Sequence, residues 1–137
     1  MNIIEAEYWA MAIPEPWLAG QDEDTIVIED NDDIGVIEID TLLSESDTVI
    51  SEADLNQLAQ SLIDEGKQPA PYHQELLNGF CFEYSDDGDW CRDFFLAYKH
   101  VVMIVAYTCD IENRGLDDAN IDEILSTWVP STSVEQV

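Results

Sequence analysis

Carboxylates are the groups in this sequence that could do chemistry. Of 137 residues, 31 are Asp or Glu and only four are Lys or Arg, for a formal net charge of −27. They cluster at Asp22-Glu23-Asp24, at Asp30 with Asp32 and Asp33, and at Asp86-Asp87 with Asp89. Such clusters raise three chemistries: calcium binding, paired acid–base catalysis, and docking of a cation-rich partner. Calcium fails on spacing. An EF-hand loop needs oxygens at positions 1, 3 and 5, Gly at 6 and Glu at 12. Anchoring on Gly35 supplies Asp30 and Asp32, but puts Ile34 fifth and Thr41 twelfth. Anchoring on Gly88 supplies Glu83, Ser85 and Asp87, but puts Phe94 twelfth. Asp and Gly at these places are explained by turn geometry. Paired acid–base work leaves no signature, because among so many carboxylates a pair carries no information.

Other catalytic patterns are missing too. Cys81, Cys91, Cys109, His73 and His100 lack the close spacing a zinc site uses. A thiol nucleophile needs a histidine beside it, yet His100 reads as a hairpin end, with Cys109 a full strand length away. No Gly-rich phosphate loop follows any strand. Trp9, Trp17, Trp90 and Trp128 read as core or edge plugs. The expectation is a protein without catalytic residues, metal or cofactor.

The charge narrows the partner. Residues 1–66 hold eighteen acidic residues and no basic one, while the rest hold thirteen and four. That field argues against direct contact with nucleic acid or an anionic membrane surface. A salt-adapted interior would also favour acidic surfaces, but a general solubility effect should spread the charge evenly. The expected role is a small non-catalytic module docking a basic protein partner through Asp22, Glu23, Asp24, Asp30, Asp32, Asp33, Asp86, Asp87 and Asp89. The alternatives are a nucleic-acid mimic occupying a DNA-binding protein, and an enzyme with a carboxylate site. The first residues lack a basic region followed by an apolar one, and no apolar run approaches a membrane span. Three cysteines, an odd number, read as free thiols in a reducing cytoplasm. Oligomeric state is left open.

The elements that must position these groups centre on residues 80–109. Phe80, Phe82 and Tyr84 alternate with Cys81 and Glu83; Trp90 to Tyr98 alternates likewise; Val101 to Tyr107 is apolar throughout. These read as three antiparallel strands. Asp86-Asp87-Gly88 is one turn. With Lys99-His100 as the other, Phe94 should pair with Val105 and Phe95 with Ile104. Apolar pairs on both faces call for a cover on each side. Earlier strands are expected at 8–12, 25–29 and 35–40, with Gln21 to Asp24 as a turn and Trp17 folding back on the sheet edge. Ser51 opens a helix as its N-cap, with Asp54 at capping-box spacing, and Leu55, Leu58, Ala59, Leu62 and Ile63 form one stripe up to Gly66. Asn78-Gly79 reads as a hairpin turn or a bulge. Ile121, Ile124, Leu125 and Trp128 mark a second helix, which Pro130 stops.

The expected fold is α+β: a three-layer α/β/α sandwich with a central antiparallel sheet of about six strands and two amphipathic helices. It occupies residues 1–130 as one domain, with 131–137 as a frayed tail. The strand leading into Pro14-x-x-Trp17, the capped helix at Ser51 and the Leu77-x-Gly79 step carry a resemblance. So do the Trp90–Tyr98/Val101–Cys109 hairpin and the closing helix. In this order the chain resembles the PsbP-like fold group, which includes small bacterial adaptor and secretion-chaperone proteins. The resemblance implies a protein-binding rather than enzymatic role, and it carries no functional residue over.

Overall fold

The computed structural model describes residues 2–30, 34–44 and 48–131. The strands are β1 (Asn2–Glu5), β2 (Trp9–Ile13), β3 (Leu18–Asp22), β4 (Thr25–Glu29), β5 (Gly35–Leu43), β6 (Pro69–His73), β7 (Asn78–Asp86), β8 (Asp89–Tyr98), β9 (Val101–Asp110) and β10 (Val129–Pro130). The helices are α1 (Glu52–Leu58), α2 (Gln60–Asp64) and α3 (Asp118–Ser126). The protein is therefore α+β and mainly β.

Seven strands form one antiparallel sheet, ordered β3-β4-β5-β9-β8-β7-β6, and β1, β2 and β10 form a second. The expected count of about six is corrected in two places. The strand read at residues 8–12 is β2 and belongs to the small sheet. Leu18 to Asp22, where no strand was expected, pairs with β4 from Leu18↔Glu29 to Asp22↔Thr25. Its sequence, Leu-Ala-Gly-Gln-Asp, has little strand preference, so the pairing comes from its neighbour. The turn itself is only Glu23-Asp24, with Glu23 at φ 56.

The central register is the expected one, with Phe94 opposite Val105 and Phe95 opposite Ile104. Asp87 and Gly88 make the two-residue turn from Asp86 to Asp89, both left-handed at φ 49 and 88. Lys99 takes the same conformation, φ 52, between Tyr98 and Val101. Asn78-Gly79 is neither hairpin turn nor bulge. Both residues lie inside β7, paired with β6 and β8 without interruption.

Alternation splits the sheet's side chains between two faces. The first face carries the larger core: Ile28, Ile37, Ile39, Cys81, Phe94, Leu96, Met103, Val105, Tyr107 and Cys109. Against it pack Trp9, Met11 and Ile13 of β2, Trp17, and Ile121, Ile124, Leu125 and Trp128 of the closing helical segment. Trp17 is thus a core residue, 2% exposed, and no edge plug. Arg92 and Tyr107 stand opposite each other on this face and hold the start of α3. Tyr107 donates to Asp117 at 2.6 Å. Arg92, buried over the Phe94 ring, lies 3.2 Å from Asp118 and 3.1 Å from Glu83.

The second face carries a smaller core of Phe80, Phe82, Phe95 and Val102 under Leu55 and Ala59. Ser51 and Asp54 form the expected reciprocal capping box. The helix then breaks at Ala59 into α1 and α2. Its stripe is narrower than the spacing implied. Leu55 and Ala59 are buried, whereas Leu58 lies at the margin, 42% exposed. The small Ala59 side chain lets the helix settle on Phe80 and Phe95, so the contact needs no second leucine beside it. Among the described residues, the cover on this face lies over β7, β8 and part of β9, and Gly20, Asp22, Glu29, Glu38, Asp40 and Leu42 on β3, β4 and β5 are exposed. A helix layer on each side of the sheet is therefore too simple: one side carries a small sheet and α3, and the other is only partly covered.

Candidate functional site

The open part of the second face is the candidate site. On β5, Gly35, Ile37 and Ile39 are buried, so Val36, Glu38 and Asp40 point the other way, and both acids are exposed. Register carries the pattern sideways. Glu29 pairs with Val36, and Val27 with Glu38. Glu38 pairs with Ala106, which pairs with Asp93. At one end of the sheet Asp86, Asp89 and Asp110 stand on a single rung across three strands. Glu29, Glu38, Asp40, Asp93, Asp89, Asp86 and Asp110 thus share one face, on a grid of about 4.8 Å between strands and 6.6–6.8 Å along them. Val27, Val36, Ala106 and Thr108 lie between. Lys67 is seated on this side over the Tyr84 ring at 4.6 Å and is paired with Glu65.

Two of these carboxylates are held. Thr25 donates to Asp40 at 2.5 Å, and Tyr84 to Asp93 at 2.5 Å. Asp93 is half-buried, and burial raises its pKa above the ordinary aspartate value; the Tyr84 hydrogen bond and the Lys67 charge oppose that shift.

The expected site residues divide. Asp86, Asp87 and Asp89 lie at the β7–β8 turn, on or beside this face. Asp30 follows β4 at the same end of the sheet, because Glu29 pairs with Val36 and Gly35 with Cys109. Asp32 and Asp33 lie outside the described residues. Asp22, Glu23 and Asp24 sit at the opposite end of β4 and are not brought to that rung. Glu29, Glu38, Asp40, Asp93 and Asp110 were missed. Their signal was legible in part: the alternation of Val36, Glu38 and Asp40 with Ile37 and Ile39 already puts two acids on one face.

A search against protein-family models finds no match, and no curated protein matches significantly. Solved structures do match. A protein of Bacteroides thetaiotaomicron aligns with a TM-score of 0.66 at 12% identity, over 90% of this chain and 45% of its own length. This chain therefore spans less than half of that protein. LpqN of Mycobacterium tuberculosis, a protein involved in cell envelope biogenesis, aligns with a TM-score of 0.58 at 13% identity, over 90% of this chain and 83% of its own. The likeness is one of fold. A cyanobacterial PsbP from Synechocystis also matches, with a TM-score of 0.45 at 9% identity, over 90% of this chain and 86% of its own.

Elsewhere the chemistry is sparse. Burial pushes the Cys81 thiol up to about 12 and also raises that of Cys91, where Asp93, Asp86 and Asp89 add to the effect. Neither is a thiolate at neutral pH, so neither is primed as a nucleophile. Among the described residues, no group of three or more His, Cys, Asp or Glu is placed to hold a metal ion. Among the described residues, no helix is long and apolar enough to cross a membrane. A cleft of about 600 Å³ lies between α1 and strands β6 to β8, lined by Leu55, Phe80, Pro71, His73 and Lys99 among others. In it His73 Nδ1 sits 2.9 Å from Asn78 Oδ1.

Proposed function

We propose that this chain is a small non-catalytic binding module that docks a basic protein partner on the open acidic face of its sheet. One observation carries the reading: the helices leave β3 to β5 uncovered, and that uncovered face is acidic. Like charges directly opposite each other across strands destabilise a sheet. Asp86, Asp89 and Asp110 accept that cost on a single rung. A partner bringing Lys and Arg would relieve it and would be steered in by the field. The two-dimensional grid suits a protein surface better than it suits mimicry of a nucleic acid, whose charges follow a regular track. The three free cysteines fit residence in a reducing cytoplasm.

The test compares two triple variants by surface plasmon resonance against a partner recovered by pull-down, at two salt concentrations. Glu29→Gln/Glu38→Gln/Asp40→Asn removes charge from the face. Glu75→Gln/Asp122→Asn/Glu123→Gln removes the same charge from the β6–β7 loop and α3, away from both that face and the β3 edge. The face variant should associate about ten-fold more slowly and lose most of the salt dependence, with dissociation little changed, because exposed charges act on encounter. Equal on-rates for the face variant and the wild type would sink the proposal. Competition by DNA for the recovered partner would support mimicry instead.

A further inference from the structure

The two edges of the seven-stranded sheet are unlike. At one, β6 reads Pro-Ala-Pro-Tyr-His. Pro69 and Pro71 have no N–H to offer an incoming strand, a common way to close an edge. At the other, β3 is exposed at all five positions and carries neither proline nor a basic residue. It pairs with β4 on its inner side and is the last strand of the sheet. Leu18 on it is 63% exposed. Such a strand is a template for one more.

What surrounds this edge selects the occupant. Gln21 pairs with Ile26 and faces the first side of the sheet, where Ile26 meets the core. Beside Gln21 opens a cleft of about 360 Å³ lined by Glu5, Glu7, Tyr8, Trp9 and Asp24, among others. Three carboxylates with two aromatic rings suit a Lys or Arg side chain, which pairs with the acids and lies against the rings. On the other side of the strand Asp22 offers a further carboxylate, and Leu18 an apolar contact. A second copy of this chain would bring its own −27 to this place, and the repulsion argues against it.

We infer that the docking site includes the β3 edge, and that a basic, extended segment of the partner adds there as an eighth strand with one Lys or Arg side chain in the cleft beside Gln21. This rests on the acidic-face reading and specifies how the partner is held. Main-chain hydrogen bonds supply binding that is independent of sequence, and the cleft selects the basic residue.

The experiment uses the whole chain and two synthetic probes. One is a capped ten-residue peptide alternating Lys and Val; the other has the same sequence N-methylated at every residue, so that it keeps the charge but cannot pair as a strand. Amide exchange of residues 18–22 is followed by NMR with each peptide at low salt. The expected result is that exchange of alternate β3 amides slows at least ten-fold with the first peptide only, and that the methylated one binds at least ten-fold more weakly. Equal, salt-sensitive affinity for both peptides without protection of β3 would overturn strand addition and leave acidic docking standing. No binding of either peptide at low salt would overturn both. Protection of β3 that rises with protein concentration alone would identify a second copy as the occupant and overturn the inference.

Discussion

Asp89 stands directly opposite Asp110 on the neighbouring strands β8 and β9, and Asp86 opposite Asp89 on β7. All three are exposed. No local rule of strand pairing favours this arrangement, since like charges that face each other across a ladder repel. It marks where the sequence departs from its own stability.

Neutralising one member of that rung should stabilise the fold. Asp89→Asn, at the position paired with both others, should raise the melting temperature by roughly 1–4 °C at low salt. In 0.5 M salt the gain should vanish, because screening acts over only a few ångströms there. Calorimetry at both salt concentrations checks this. A fall in melting temperature would mean that Asp89 is needed by the turn, as Asp at such positions can be.

Gly79 lies against the backbone of β8. A Cβ built on it would stand 1.9 Å from the Phe95 carbonyl oxygen, where backbone cannot yield cheaply. Gly79→Ala should therefore cost about 3 kcal/mol, the upper part of the range for over-packing. Gly20 is the control. Nothing lies within 4 Å of its added Cβ, so Gly20→Ala should be neutral or slightly stabilising. Urea denaturation of both variants decides the matter.

The Asn78-Gly79 pair also shows what a sequence withholds. Read locally, it offers a turn or a bulge, because glycine beside asparagine usually serves backbone freedom. Here the glycine serves closeness between strands, which only tertiary structure reveals. The central hairpins were legible because aromatic alternation and two-residue turns fix register by themselves. Strand β3 was not, because Leu-Ala-Gly-Gln-Asp takes its conformation from β4. For the site, the acidic turns could be seen as clusters. The face could be seen only as Glu38 and Asp40 alternating on one strand, since Glu29, Asp93 and Asp110 join them by register across strands distant in sequence.

The helix stripe gives a second contrast. Leu55 is 4% exposed and caps the Phe80 and Phe95 cluster, whereas Leu58 is 42% exposed. Leu55→Ala should cost about 2–4 kcal/mol, and Leu58→Ala under about 1 kcal/mol. Equal losses would show that Leu58 is covered in solution.

Asp93 sets the last expectation, which concerns pH. Burial raises its pKa in the folded protein, against the pull of the Tyr84 hydrogen bond and the Lys67 charge. A carboxyl with a higher pKa folded than unfolded binds its proton more tightly in the native state. Its contribution to stability is thus gained as pH falls through the folded value and is lost as pH rises through it. Asp54 works the other way. Its hydrogen bonds with Ser51 lower its pKa, so its contribution is present above the ordinary carboxylate range and is lost as pH falls through its folded value. Melting temperature should therefore climb from pH 7.5 to about pH 5 and turn down in stronger acid, as the cap protonates. Asp93→Asn keeps an acceptor for Tyr84 without the buried charge. It should melt higher than wild type at pH 7.5 and gain less on going to pH 5. If wild type and variant gain equally, the climb arises elsewhere in the protein, and Asp93 contributes nothing of its own.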